Sequence, residues 1–191
     1  MQSPENNKIY FASDQHFGAP TPEMSFPREK RFVKWLDEVK QDAEAIFLLG
    51  DLFDFWFEYK TVVPKGFVRV LGKLAEIRDS GIPIYFFVGN HDLWMSDYFE
   101  KELNIPVYHD NKEFTFGNKS FLIGHGDGKG PGDRGYKKIK KVSEMPIVIW
   151  NIDTLDWKYK DSDRIASKIL KNVKDGDIIL SDGKNEAVFE F

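Results

Sequence analysis

Four times before residue 128 the chain runs through a short apolar stretch and stops on a polar cluster. Residues 9–12 lead into Ser13-Asp14-Gln15-His16, and residues 46–49 into Gly50-Asp51-x-x-Asp54. Residues 84–88 lead into Gly89-Asn90-His91-Asp92, and residues 121–123 into Gly124-His125-Gly126-Asp127. Short continuous apolar runs read as strands buried on both faces, the kind found in parallel sheets. A buried strand that delivers a carboxylate at its C-terminal end sets charge at the mouth of the sheet, where open α/β folds bind ligands. One such end is ordinary; four in series are read as a metal site.

Composition narrows the chemistry. The chain has 191 residues and no cysteine, which excludes disulfides and thiolate ligands. Any metal is therefore held by oxygen and imidazole, a donor set that suits Mn, Fe, Mg or Zn. A net charge of −4 argues against general nucleic-acid binding. Residues 1–8 lack an apolar signal core, and no run approaches the roughly 18 apolar residues of a membrane span. The expectation is one soluble, cytoplasmic domain, with the oligomeric state left open.

Along the chain, residues 8–12, 45–49 and 83–88 read as strands. Residues 29–40 (Phe32, Trp35, Leu36, Val39) and 67–78 (Phe67, Val70, Leu71, Leu74, Ile77) read as amphipathic helices, the second closed by Ser80-Gly81. Prolines 20, 22 and 27 mark a loop. Residues 96–103 form a short helix, and 113–116 with 119–123 flank a Gly117-Asn118 hairpin turn. The change of period predicts mixed sheets or two packed sheets in an α/β fold. The aromatic patch Phe53, Phe55, Trp56, Phe57 and Tyr59 is read as core under a loop. Beyond it come a glycine-rich loop over the site (126–135), a lysine-bearing helix face (136–141), a strand (146–150), a helix (163–173) with Ile165, Ile169, Leu170 and Val173, and strands at 177–180 and 186–191.

Asp14 and His16 stand two apart at a strand end, so both reach one side and one cation. Asp51 on the neighbouring strand can bridge two cations, Asn90 offers a neutral oxygen, and His125 an imidazole. Donors converging from four strand ends would hold two divalent ions roughly 3.5–4 Å apart, which polarise a phosphoryl group and activate a water. His91 is placed to act as general acid at the leaving oxygen, with Asp54 or Asp92 orienting it. Taken alone, Asp14-x-His16 is ordinary surface decoration or a cap, and Gly50-Asp51 an ordinary turn. Their joint occurrence in this order reverses that reading.

These motifs resemble those of the calcineurin-like metallophosphoesterases. Residues 8–141 and 183–191 are similar to the UDP-2,3-diacylglucosamine hydrolase-like branch, on Ser13-Asp14-Gln15-His16-Phe17-Gly18, Gly50-Asp51-Leu52-Phe53-Asp54-Phe55-Trp56 and Gly124-His125-Gly126-Asp127-Gly128. The resemblance implies an α/β/β/α sandwich and a two-ion centre of di-manganese type. One ion would take Asp14, His16 and Asp51, the other Asp51, Asn90 and His125. It also implies hydrolysis of a phosphoester or pyrophosphate. The substrate would be a small phosphoester or a UDP-sugar lipid, met in peripheral contact with the inner membrane.

The chain departs from the family after His125, its last histidine. The family's C-terminal Gly-His-x-His and helical lid are expected to be missing, with Asp182 as a carboxylate alternative near that position. Residues 145–182 instead resemble the C-terminal part of polysaccharide deacetylases, which suggests a chimera, natural or made. Its other deacetylase motifs are absent, so deacetylation by this chain is not expected. The rival to a hydrolase is a folded scaffold with weak or no catalysis.

Overall fold

The computed structural model describes residues 8–126, 152–153, 164, 167, 170–172 and 179–180. The chain divides into two compact units, Met1–Lys141 and Val142–Phe191. In the first, strands β1 (Lys8–Ala12), β2 (Ala43–Leu48), β3 (Ile84–Phe87) and β4 (Val107–Tyr108) pair in that order, all parallel. Helices α1 (Pro22–Val39), α2 (Val68–Asp79) and α3 (Tyr98–Leu103) connect successive strands. A separate antiparallel hairpin, β5 (Lys112–Phe116) and β6 (Lys119–Ile123), turns through Gly117-Asn118.

β2 explains the continuous apolar run. Its successive side chains point to opposite faces, and both faces are buried. Ile46 and Leu48 enter a core with Phe32, Leu36, Leu74 and Ile77 from the helices. Ala45 and Phe47 enter a second core with Phe87 and Ile123, closed by Phe114, Phe116 and Phe121 of the hairpin. The Phe114 ring meets Phe47 edge-on at 4.9 Å between centroids. The first unit is therefore layered as helices, parallel sheet and hairpin, the mixed α/β arrangement expected. Each fully buried aromatic or aliphatic side chain contributes roughly 1.5–3 kcal/mol.

Helix ends account for most differences from expectation. α1 begins at Pro22, seven residues before the helix read from the sequence. Thr21 caps it, its Oγ accepting the Met24 N–H at 3.4 Å, and Pro22 occupies the first turn, where its missing N–H costs nothing. The prolines read as a loop thus start a helix. α2 closes as expected: the Ile82 N–H reaches the Ile77 carbonyl and the Gly81 N–H the Arg78 carbonyl, with Gly81 at φ 95°. β4, only two residues long, carries no period and was not anticipated. The aromatic patch divides: Phe53 and Trp56 are buried, whereas Phe55, Phe57 and Tyr59 are exposed.

α3 is capped from outside. Asp97 makes no side-chain cap; instead Glu58 Oε2 accepts the N–H groups of Asp97 (2.9 Å) and Tyr98 (3.1 Å), and its Oε1 accepts Trp56 Nε1–H at 2.9 Å. Replacing Glu58 by Ala removes a charged cap and a partner of a buried indole. Urea denaturation should register a loss of about 1–2 kcal/mol.

In the second unit β7 (Ile152–Asp153) pairs in parallel with β8 (Ile179–Leu180), and residues 164, 167 and 170–172 are helical. The helix and the strand at 179–180 match the reading, although Leu170 is exposed rather than on a buried face. The loop beyond Gly126, Asp127, the lysine face, the strand at 146–150, Asp182 and the terminal strand lie outside the described residues. Among the described residues no helix is long and apolar enough to cross a membrane.

Candidate metal centre

The loops after β1 and β2 continue the parallel pairing beyond the sheet. Leu49 N–H bonds to the Ala12 carbonyl (2.7 Å), Asp14 N–H to Gly50 (3.1 Å), His16 N–H to Asp51 (2.9 Å), Phe17 N–H to Leu52 (2.9 Å), and Asp54 N–H to Phe17 (2.9 Å). Within this lacing Asp14, His16 and Asp51 all take left-handed backbone, at φ 58°, 45° and 52°. Non-glycine residues there cost on the order of 1–3 kcal/mol each and persist only where surroundings fix them. Gly50 is required twice over. Its φ is 89°, and a Cβ would lie 2.6 Å from His125 Nδ1 and 2.7 Å from the Gly89 nitrogen. Gly89 in turn lies against the Asp51 carboxylate so closely that a Cβ would overlap it.

The result brings all five residues read as metal ligands together. Asp51 is buried, and its Oδ2 lies 3.8 Å from His16 Nε2 and 3.6 Å from His125 Nε2. Its Oδ1 accepts the His91 N–H at 2.9 Å. Asp14 Oδ1 lies 3.8 Å from His16 Nε2, and Asn90 Oδ1 lies 3.4 Å from His125 Nε2. Donor atoms of Asp14, His16 and Asp51 all fall within 4.8 Å of one another. Burial pushes the Asp14 carboxyl up, but hydrogen bonds with His16 and Ser13 and the nearby His125 outweigh it, and its pKa is net lowered.

This donor set fits a divalent cation. His125 Nδ1–H donates to the Leu49 carbonyl at 2.6 Å, which leaves the Nε2 lone pair facing Asp51 and Asn90. A histidine whose second nitrogen is held by a carbonyl is the usual arrangement of a metal ligand. His16 is buried with no hydrogen-bond partner at Nδ1, and that nitrogen faces Asp54 Oδ1 at 3.5 Å. A buried carboxylate between two imidazoles also calls for positive charge.

His91 packs edge-on against His16, ring centroids 4.5 Å apart. Of the two carboxylates left open as its partners, Asp54 is at the ring. His91 Nδ1 donates to the Asp54 carbonyl at 2.8 Å and lies 3.6 Å from its carboxylate. Asp92 is turned away and buried, its Oδ1 accepting the Phe53 N–H at 3.2 Å and its Oδ2 unpartnered. Burial, reinforced by the Asp51 charge, pushes Asp92 up to about 6. A carboxyl raised in the folded state binds its proton more tightly there than when unfolded. The metal-free chain therefore loses stability as pH rises from about 4 through about 6. Asp92→Asn should flatten that slope and gain about 1–3 kcal/mol at pH 7 in chelator, read from denaturation at several pH values.

Sequence reasoning missed three buried polar residues on α1: Ser25, Arg28 and Glu29. Burial raises the Glu29 carboxyl, opposed by its bond from Ser25 and by two arginines. Their spacing of three and four places them on one helical face, a signal hidden once the helix was begun at residue 29.

A family model described as calcineurin-like phosphoesterase matches residues 7–188, a span that includes the segment read as deacetylase-like. A UDP-2,3-diacylglucosamine hydrolase of Porphyromonas gingivalis is 42% identical over 71% of this chain and 49% of its own length. The enzyme of the same name from Vibrio parahaemolyticus is 28% identical over 86% of this chain and 65% of its own. The chain thus spans about half to two thirds of these relatives. Among solved structures, a phosphoesterase from E. coli aligns with TM-score 0.41 and 19% identity over 76% of this chain and 65% of that one. With a family match running almost from end to end and the motif-bearing strand ends gathered at one place, the chain belongs to the calcineurin-like phosphoesterases.

Proposed function

We propose that the chain is a metal-dependent phosphoester or pyrophosphate hydrolase with two divalent ions, Mn by preference. Its family uses divalent metals. The observation that carries the reading is Asp51 Oδ2 lying between His16 Nε2 and His125 Nε2 at 3.8 and 3.6 Å. Asp14, His16 and Asp51 would hold one ion, and Asp51, Asn90 and His125 the other. When bound, such a pair supplies a polarised phosphoryl group and an activated water. Asp51 would bridge both positions, and its Oδ1 fixes the backbone of His91. His91, oriented through Nδ1 by Asp54, would present Nε2 to the leaving oxygen and deliver a proton there.

The relatives' names point to a UDP-sugar lipid as substrate, and a small phosphoester is the simpler test compound. Exposed Phe55 and Trp94, 5.7 Å apart beside Asp54 and His91, give an apolar margin for such a molecule. A peripheral membrane contact and a cytoplasmic location belong to the same reading. Hydrolysis of bis(p-nitrophenyl) phosphate should require Mn2+, stop with EDTA and return when Mn2+ is restored. A folded chain with no metal-dependent hydrolysis of this compound or of UDP-2,3-diacylglucosamine would sink it.

A second reading is a recombined chain with little catalysis. One observation favours it: the boundary between the compact units, at Lys141 and Val142, falls just ahead of residues 145–182. Under it the protein folds cooperatively yet hydrolyses neither compound.

A further inference from the structure

Arg28 stands on α1 where core packing alone does not call for an arginine. It is buried, and its Nη2 donates to the carbonyls of His16 (2.9 Å) and Ala19 (2.5 Å). One turn earlier, buried Ser25 accepts the Gly18 N–H at 2.7 Å and donates to Glu29 Oε1 at 3.2 Å. Three hydrogen bonds thus run from one face of the helix to the loop of residues 16–19. They bracket His16, whose φ of 45° an unrestrained histidine would relax. Burying a guanidinium is costly unless it is bonded, and two bonds of this one, both from Nη2, go to the backbone of a loop at the metal centre.

We propose that Arg28 is a positioning residue for the metal centre. Through the His16 carbonyl it holds the left-handed turn that aims Nε2 at the Asp14 and Asp51 carboxylates and Nδ1 at Asp54. Ser25, itself tied to Glu29, steadies the same loop from Gly18. The inference rests on the proposed reading of His16 as a metal ligand. Without the guanidinium the His16 carbonyl keeps only the Ala19 N–H at 3.1 Å, and the turn is held less tightly from the α1 side. A shift of about 1 Å in a positioned group costs on the order of 10²-fold in rate.

The test is Mn2+ titration calorimetry on the full chain, with Arg28→Met, Arg28→Lys and Glu58→Ala beside the unaltered protein. Arg28→Met should weaken one ion by roughly 10–100-fold, the range for losing a group that orients a ligand. Arg28→Lys keeps a charged donor without the planar fork and should fall between. Hydrolysis by Arg28→Met should recover when Mn2+ is raised, and because added ion also stabilises any folded binder, the comparison with Glu58→Ala separates positioning from a general loss of folding. Glu58→Ala, destabilised at α3, should bind Mn2+ unchanged. Wild-type affinity at both positions in Arg28→Met overturns the inference, as does equal weakening in Glu58→Ala. Should Arg28→Met fail to fold, the lysine variant against Glu58→Ala decides on the same terms. If the unaltered protein binds no Mn2+, the ligand reading of His16 falls first, and the inference with it.

Discussion

Asp51→Ala should abolish hydrolysis and strip both Mn2+ ions while leaving the metal-free fold as stable as before, or more so. The carboxylate faces both His16 and His125, its Oδ2 3.8 and 3.6 Å from their Nε2 atoms. Losing it should exceed the roughly 10–100-fold penalty for losing a partner that only orients a ligand. Stability runs the other way, because a buried charge without its cation opposes folding. Its Oδ1 accepts the His91 N–H at 2.9 Å, a bond that Asp51→Asn would preserve. Metal analysis, hydrolysis and thermal unfolding in chelator measure the three effects separately. Two ions retained by the alanine variant would refute the bridging role.

Gly50→Ala should have the largest effect on the fold. The residue has φ 89°, and the added carbon would sit within 2.6–2.8 Å of His125 Nδ1 and the backbone of Gly89. Neither neighbour is the loose end of a flexible chain: one ring is fixed by the Leu49 carbonyl, and the other group is main chain. Strained backbone and overpacking together should cost about 2–5 kcal/mol. Metal affinity should fall as well, since relief requires moving His125. An alanine variant with wild-type stability would mean that the turn can rearrange without loss.

The sheet and the donor cluster were legible because they rest on short-range rules. β2 and β3, buried on one face by the helices and on the other by the second core, give unbroken apolar runs, and the residues after them, Asp51 and Asn90, are placed by the strand ends. Asp14 and His125 also follow strand ends, but β1 is an edge strand with Phe11 exposed and β6 belongs to the antiparallel hairpin with Leu122 exposed, so the rule of doubly buried strands does not account for them. What was hidden depends on contacts distant in sequence. Pro22 and Pro27 look like loop residues until Thr21 is seen capping a helix through them. The choice between Asp54 and Asp92 as partner of His91 turns on which way two neighbouring loops face, which spacing does not encode. Glu58 gives no local sign that it caps a helix about 40 residues later. Phe53 and Trp56 differ from Phe55 and Phe57 only in where the loop turns them.

The lacing of the two loops beyond β1 and β2 has a thermodynamic consequence. Backbone freedom at Asp14, His16, Phe17 and Asp54 is given up when the chain folds, at roughly 1–2 kcal/mol per residue. None of that ordering is then charged to an incoming ion. Because backbone hydrogen bonds join both loops into one ribbon, a cation meeting either end encounters ligands already in register. Its arrival should be limited by how fast it sheds its own water rather than by any rearrangement of the protein.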